Sequence, residues 1–211
     1  MRAIHMALAV ALVANATCAQ ADTMDLAGIG GRFALKVTSV KEARFKGTTR
    51  QQYDFSCGSA ALATLLTHHY GYPVTEQAVF EEMYTKGDQE KIRREGFSLL
   101  DIKAFLEARQ FKADGFELPL EKLAESGLPA LVLIVEKGYH HFVVIKGLRD
   151  GRVLIGDPSS GTRAVSRAHF DSIWTNKVLF VVHNKQNQAR FNADNDWQAA
   201  PKAPLTAGIS A

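Results

Sequence analysis

The chain has 211 residues, 46% of them hydrophobic, and its 25 basic and 22 acidic side chains leave a net charge of +3. That length gives one domain with enough chain to bury a core. So small and mixed a charge, with no array of basic and aromatic residues, excludes a nucleic-acid surface.

The first residues read as a secretory signal. Arg2 is the positive start, Met6 to Val13 is apolar, and Ala19-Gln20-Ala21 is a small-x-small cleavage site. Residues 1–21 are therefore expected to be removed after Ala21, giving an exported, periplasmic protein that begins at Asp22. The apolar run is too short to span a bilayer, and the mature chain holds no longer one. A lipoprotein reading through Cys18 is weaker, because Asn15 and Thr17 fit poorly before a lipidated cysteine. Cleavage also removes Cys18. Cys57 is then the only thiol, and an odd cysteine in an exported chain marks a reactive or intermolecular group.

Residues 22–49 read as a loose Gly-rich start, a strand over Phe33 to Val40 and a basic connector from Lys41 to Arg50. The stretch Gln51 to Leu66 then runs from polar, turn-prone residues into a helix of small side chains. Ser56 is the expected N-cap. Cys57 falls in the first turn, where the positive helix end favours a thiolate. Leu62, Leu65, Leu66 and His69 recur at helical spacing as the buried stripe. As a bland alternative, Cys57 is a small buried hydrophobe.

Thr75 caps a helix through Tyr84. Lys86 to Gly96 is a charged connector, expected as a solvated loop. Ser98 and Asp101 form a capping box that opens a helix to about Arg109. Phe111 to Leu118 reads as a strand and Pro119 to Glu125 as a short helix. The runs Ala130 to Val135 and His141 to Ile145 are continuously apolar, as expected of strands buried on both faces. Asp150-Gly151 is a hairpin turn leading into Arg152 to Ile155, and Gly156-Asp157-Pro158 ends that strand. A helix around Arg167 to Trp174 and a strand over Val178 to Val182 follow. Residues 184–211 are polar and rich in Ala, Pro and Asn, and read as a disordered tail. Helices first and then an antiparallel sheet make an α+β fold, with the Cys57 helix packed on the sheet.

A cysteine hydrolase needs a thiolate, a base, an orienter of that base and an oxyanion donor. Cys57 offers the first. His141 opens an apolar strand, and Asp157 ends the next strand within a few residues of its register. Gln51, shortly before Cys57, can point an amide N–H at an oxyanion; Gln52 is the alternative. His140 competes with His141, and since neighbours on a strand point to opposite faces, only one of them can serve Cys57. His68 and His69 lie roughly 16–18 Å along the Cys57 helix and are too far to serve it. Asp54 reads as a turn acid, Trp174 as core, and His169 and His183 have no visible partner. Adjacent histidines without a cysteine pair make a poor metal site.

Gln51 six residues before Cys57, Gly58 and the Ala60/Leu62 helix, His141-Phe142-Val143-Val144 and Asp157-Pro158 together resemble the C39 family of papain-like cysteine peptidases, over about Arg50 to Val182. The resemblance implies a papain-like fold for residues 50–183. It also implies Cys57 as nucleophile, His141 as base, Asp157 as orienter and Gln51 as oxyanion donor, with no metal or cofactor. Many members are domains of ABC exporters that cut leaders after Gly-Gly. This chain has no phosphate-binding loop for ATP and carries a signal, and Ser56 stands where exporters usually place an acid. It is more similar to the stand-alone periplasmic C39-like proteins of functional-amyloid (Fap-type) secretion systems. That implies amyloid subunits and their outer-membrane secretion apparatus as partners. Two further readings stay open on sequence alone: a non-catalytic papain-like peptide-binding or assembly factor, and a cysteine acyltransferase.

Overall fold

Ser39 opens the first helix, α1 (Val40–Arg44), through a capping box in which its hydroxyl takes the Glu42 N–H and the Glu42 carboxylate takes the Ser39 N–H. The structure is a computed structural model and describes residues 39–200. The expected strand over Phe33 to Val40 lies outside them up to residue 38. Its last residue belongs to α1, which also replaces the start of the expected connector.

Helix α2 (Cys57–Thr64) widens into a π-turn over Leu65–His69. Thr75 caps α3 (Glu76–Lys86) by accepting the Ala78 N–H. The charged connector after α3 is not a loop. Asp88 caps a short helix, α4 (Gln89–Glu95), whose Ile92 is buried in the core. One apolar side chain aimed inward and one capping acid outweigh the polar composition. Ser98 and Asp101 form the expected capping box of α5 (Leu99–Glu107). Next come β1 (Ala113–Glu117), α6 (Glu121–Ser126), β2 (Ala130–Glu136), β3 (Tyr139–Arg149), β4 (Arg152–Asp157), β5 (Gly161–Ser166), α7 (Arg167–Ile173) and β6 (Val178–Val182). Strand β5, with its half-polar sequence, has no counterpart in the sequence reading.

The six strands form one antiparallel sheet in the order β1-β6-β2-β3-β4-β5. Helices cover both faces. Leu62 of α2 and Leu65 and Leu66 of the π-turn pack with Leu131, Phe142, Val144 and Phe180 on one side. Leu123 of α6 and Phe170 of α7 pack with Val132, Val143 and Val153 on the other. This two-sided burial explains why β2 and β3 read as continuous apolar runs rather than alternating ones. Two tight turns fix the register. Lys137-Gly138 joins β2 to β3 and Asp150-Gly151 joins β3 to β4, each with positive φ at both residues, as the mirror-image hairpin turn requires.

The chain does not fall into a tail after Val182. Residues 184–200 carry a 3-10 turn (Gln186–Gln188) and a helix, α8 (Asp194–Ala199), whose Trp197 packs on Leu154. The disorder expected from residue 184 is therefore corrected as far as residue 200. Its polar side chains have specific buried partners on the sheet, which composition alone does not reveal.

Candidate active site

Cys57 is the first residue of α2 and is half-buried. The residues after it explain its position. Gly58 is buried so tightly that a Cβ there would lie 3.0 Å from the Phe97 Cβ and 3.5 Å from the Phe142 ring. The helix start therefore sits directly on β3 beside His141. Ser56 does not cap α2 as expected. Its hydroxyl donates to the Tyr53 carbonyl at 3.0 Å and accepts the Tyr53 N–H at 3.2 Å. The hydroxyl is spent on the tight turn that delivers Cys57, so the first-turn N–H groups of α2 get no side-chain acceptor from Ser56. The turn is braced from outside by Tyr53 and Phe55, whose rings pack on Phe80 of α3 at 5.1 and 5.7 Å.

His141 lies three residues past the Lys137-Gly138 turn, at the end of the sheet. Its Nε2 is 2.8 Å from Asp157 Oδ1. That leaves Nδ1 free of Asp157, and Cys57 lies near enough to raise the proton affinity of the ring. Burial alone would lower the His141 pKa. The bond to Asp157, then Cys57, outweigh it and lift the value to about 9. His140 is exposed, and its ring forms no hydrogen bond among the described residues. His141, the half-buried one of the two, is the ring that meets Asp157.

Burial would raise the pKa of Asp157, which is 3% exposed, but bonds from His141 and Ser159 hold it well below the usual carboxylate range. Its Oδ1 accepts from the Ser159 N–H at 2.8 Å and the Ser159 hydroxyl at 2.7 Å. Its Oδ2 accepts from Arg163 Nε at 3.2 Å, and Arg163 is braced in turn by Glu136 at 2.8 Å. The sequence reading missed Ser159 and Arg163. Asp-Pro-Ser-Ser is a readable signal for Ser159, because an aspartate accepting the N–H two residues on is an Asx-turn. Arg163 sits on the strand that went unread.

Gln51 is brought to the same end of the sheet. Its backbone N–H donates to the Pro158 carbonyl at 3.1 Å, next to Asp157, and its Nε2 donates to the Tyr53 carbonyl at 3.1 Å. A carboxamide has two N–H donors, so one remains. Its Oε1 is buried with no partner among the described residues. Gln52 and Asp54 are exposed.

The other candidates fall elsewhere. His69 is buried, bonds the Arg190 carbonyl through Nδ1 at 2.7 Å, and burial lowers its pKa to about 4. His68 lines a separate cavity with Arg190 and Asp196. His169 faces Glu136 at 3.6 Å and His183 bonds Asp114 at 2.9 Å. Trp174 is core. Among the described residues no cluster of three His, Cys, Asp or Glu side chains is placed to hold a metal ion, and no helix is long and apolar enough to cross a membrane.

A half-exposed cysteine at the start of a small-residue helix, packed against an antiparallel sheet that carries a buried His–Asp pair, defines a papain-like cysteine peptidase. Residues 46–186 match the Peptidase C39 family, and the chain belongs to that family. It is 38% identical over 178 residues to the "Probable functional amyloid protease FapD" of Pseudomonas aeruginosa, covering 84% of this chain and 76% of that protein. It is also 38% identical over 172 residues to the protein of the same name from Pseudomonas fluorescens, covering 82% and 74%. The peptidase domain of Streptococcus ComA, a bifunctional ABC transporter, superposes with a TM-score of 0.54 at 22% identity, covering 64% of this chain and 97% of that domain. At that identity it shows a shared fold.

Proposed function

We propose that this chain is an exported cysteine endopeptidase that cuts a secreted polypeptide by attack of Cys57, with His141 as base, Asp157 as its orienter and Gln51 as oxyanion donor. The observation that carries the reading is the state of His141. With Nε2 bonded to Asp157 and a pKa of about 9, the ring is an imidazolium at neutral pH beside Cys57. A carboxylate-backed imidazolium stabilises a thiolate and holds the proton the leaving amine needs.

The steps follow from that arrangement. The Cys57 sulfur attacks the scissile carbonyl carbon, and the carbonyl π electrons move to oxygen. The free Gln51 Nε2–H donates to that oxyanion, next to the uncapped N–H groups of the α2 first turn. The C–N bond then breaks, and the His141 Nδ1 proton goes to the leaving amine. A water molecule gives a proton to His141 and attacks the thioester. The C–S bond breaks, releasing the carboxylic product and regenerating thiolate and imidazolium.

The substrate reading rests on the relatives named as functional amyloid proteases and on the signal-like residues 1–21. It makes amyloid subunits the substrates and their outer-membrane secretion apparatus the working partner, in the periplasm. The test is digestion of a purified amyloid subunit from the same secretion system. The wild-type chain should cut it, and Cys57→Ala should bind without cutting. Cleavage by Cys57→Ala would contradict the assignment.

A further inference from the structure

The distance along the chain from the Asp150-Gly151 turn to Asp157 creates a problem of parity. From that turn β3 pairs with β4 as Arg149↔Arg152, Leu148↔Val153 and Gly147↔Leu154. Continued unbroken, this ladder would set Asp157 opposite Val144, whose side chain faces the opposite way from that of His141. The ladder is broken. Between Gly147 and Ile145 it skips one residue, and then runs Ile145↔Ile155 and Val144↔Gly156. One further step sets Asp157 opposite Val143, which shares its face with His141. The skipped residue is Lys146. The bulge at Lys146 is therefore the feature that lets His141 and Asp157 meet.

A bulge frees backbone groups from the ladder, and here it also buries a lysine. Segment 192–196 supplies their partners. The Asn192 N–H donates to the Lys146 carbonyl at 2.8 Å, and the Asn192 side-chain carbonyl accepts the Leu148 N–H at 2.7 Å. Gly147 has no side chain, and any Cβ there would run into the Asn192 carboxamide. The Lys146 ammonium is fully buried. It donates to Asp196 Oδ1 at 2.6 Å and the Gly47 carbonyl at 2.6 Å, with Thr162 Oγ1 at 3.3 Å. The ionisable side chains acting on it are Asp196, His68 and His69. All of segment 192–196 lies beyond the residues that match the family.

We propose that Asn192 and Asp196 are positioning residues for the catalytic pair: they hold the Lys146 bulge, and through it the register that brings Asp157 to His141. Losing them favours the unbulged ladder, and a one-residue slip turns side chains to the other face. The inference rests on the peptidase reading for its meaning but is tested without a substrate.

The experiment follows the His141 ring by NMR titration, together with iodoacetamide alkylation of Cys57 at pH 7.5, in the mature chain. Asn192→Gly keeps the left-handed backbone of Asn192 (φ 60°) and its N–H bond, and removes only the acceptor for Leu148. Lys146→Met/Asp196→Ala replaces the buried ion pair with apolar groups, which often preserves folding. Both variants should fold cooperatively, the His141 titration should move from about 9 towards the ordinary 6.5, and alkylation at pH 7.5 should slow about tenfold, following the loss of imidazolium. A folded variant in which His141 titrates as in the wild type, with only melting lowered, would overturn the proposal. If His141 of the wild type itself titrates near the ordinary value, the peptidase reading fails instead.

Discussion

His141 and His140 are adjacent, yet only one of them matters in this account. His141→Ala should reduce peptide cleavage by at least about a hundredfold, the usual scale for losing a positioned proton-transfer group. His140→Ala should leave it unchanged, since that ring is exposed. Steady-state rates of the two variants decide it. The same pair makes stability depend on pH. The folded His141 pKa is raised from 6.5 to about 9. Its contribution is therefore complete below about pH 6.5 and is lost as pH rises through about 9. Asp157 has a depressed pKa, so its share is present above the usual carboxylate range and is lost only in strong acid. Melting temperature should fall between pH 6.5 and 9 in the wild type, and that fall should shrink in His141→Ala. Residue types carried much of this site into view. Cys57 after a turn, His141 at a strand start and Asp157 at a strand end are each readable. What was not readable is what each polar group bonds: the Ser56 hydroxyl went to Tyr53 rather than to the helix, because a tight turn and a cap compete for the same oxygen.

Helix α2 works by being thin. Its start is built from Gly58, Ser59, Ala60 and Ala61, all buried, and that thinness is what brings Cys57 onto β3. Gly58→Val would force branched carbons against Phe97 and Phe142. It should cost about 1–3 kcal/mol in urea denaturation and lower the cleavage rate as well, because relief requires the helix start to move away from His141. Elements with strong periodicity or explicit caps, such as α3 and α5, were legible to within a few residues. Helix α4 and strand β5 were not. Both are short and charged or half-polar, and they form because Ile92 finds the core and because β4 offers an open edge. The β3 bulge lay beyond reading for a different reason: a ladder skip depends on what sits opposite, and the residues that stabilise it are 46–50 positions away in sequence.

At the scale of the molecule, an antiparallel sheet with the Cys57 helix packed on it followed from the apolar runs and turn residues, whereas the strand order and the second helical face did not. The end of the domain did not. Segment 184–200 has the composition of a tail and the contacts of a clasp. Beyond Asn192 and Asp196, Arg149 and Arg152 stack over Trp197 at 5.2 and 5.3 Å. A chain ended at residue 186, where the family match stops, would leave the Lys146 ammonium buried without its carboxylate. Removing one partner of such a pair costs about 3–5 kcal/mol. That is a large share of a typical domain's total of about 5–15 kcal/mol. The shortened chain should therefore unfold at markedly lower urea concentration than the full one.

The central claim is that His141, backed by Asp157, holds Cys57 ready as a nucleophile. Cys57 is the only cysteine beyond residue 21, so the alkylation rate of a chain beginning at Asp22 reports on it alone. With iodoacetamide at pH 6 to 7, the account predicts rapid modification of the folded wild type, and slowing by about tenfold or more in His141→Ala. Equal rates in the two proteins, or a folded wild type that does not react, would contradict it.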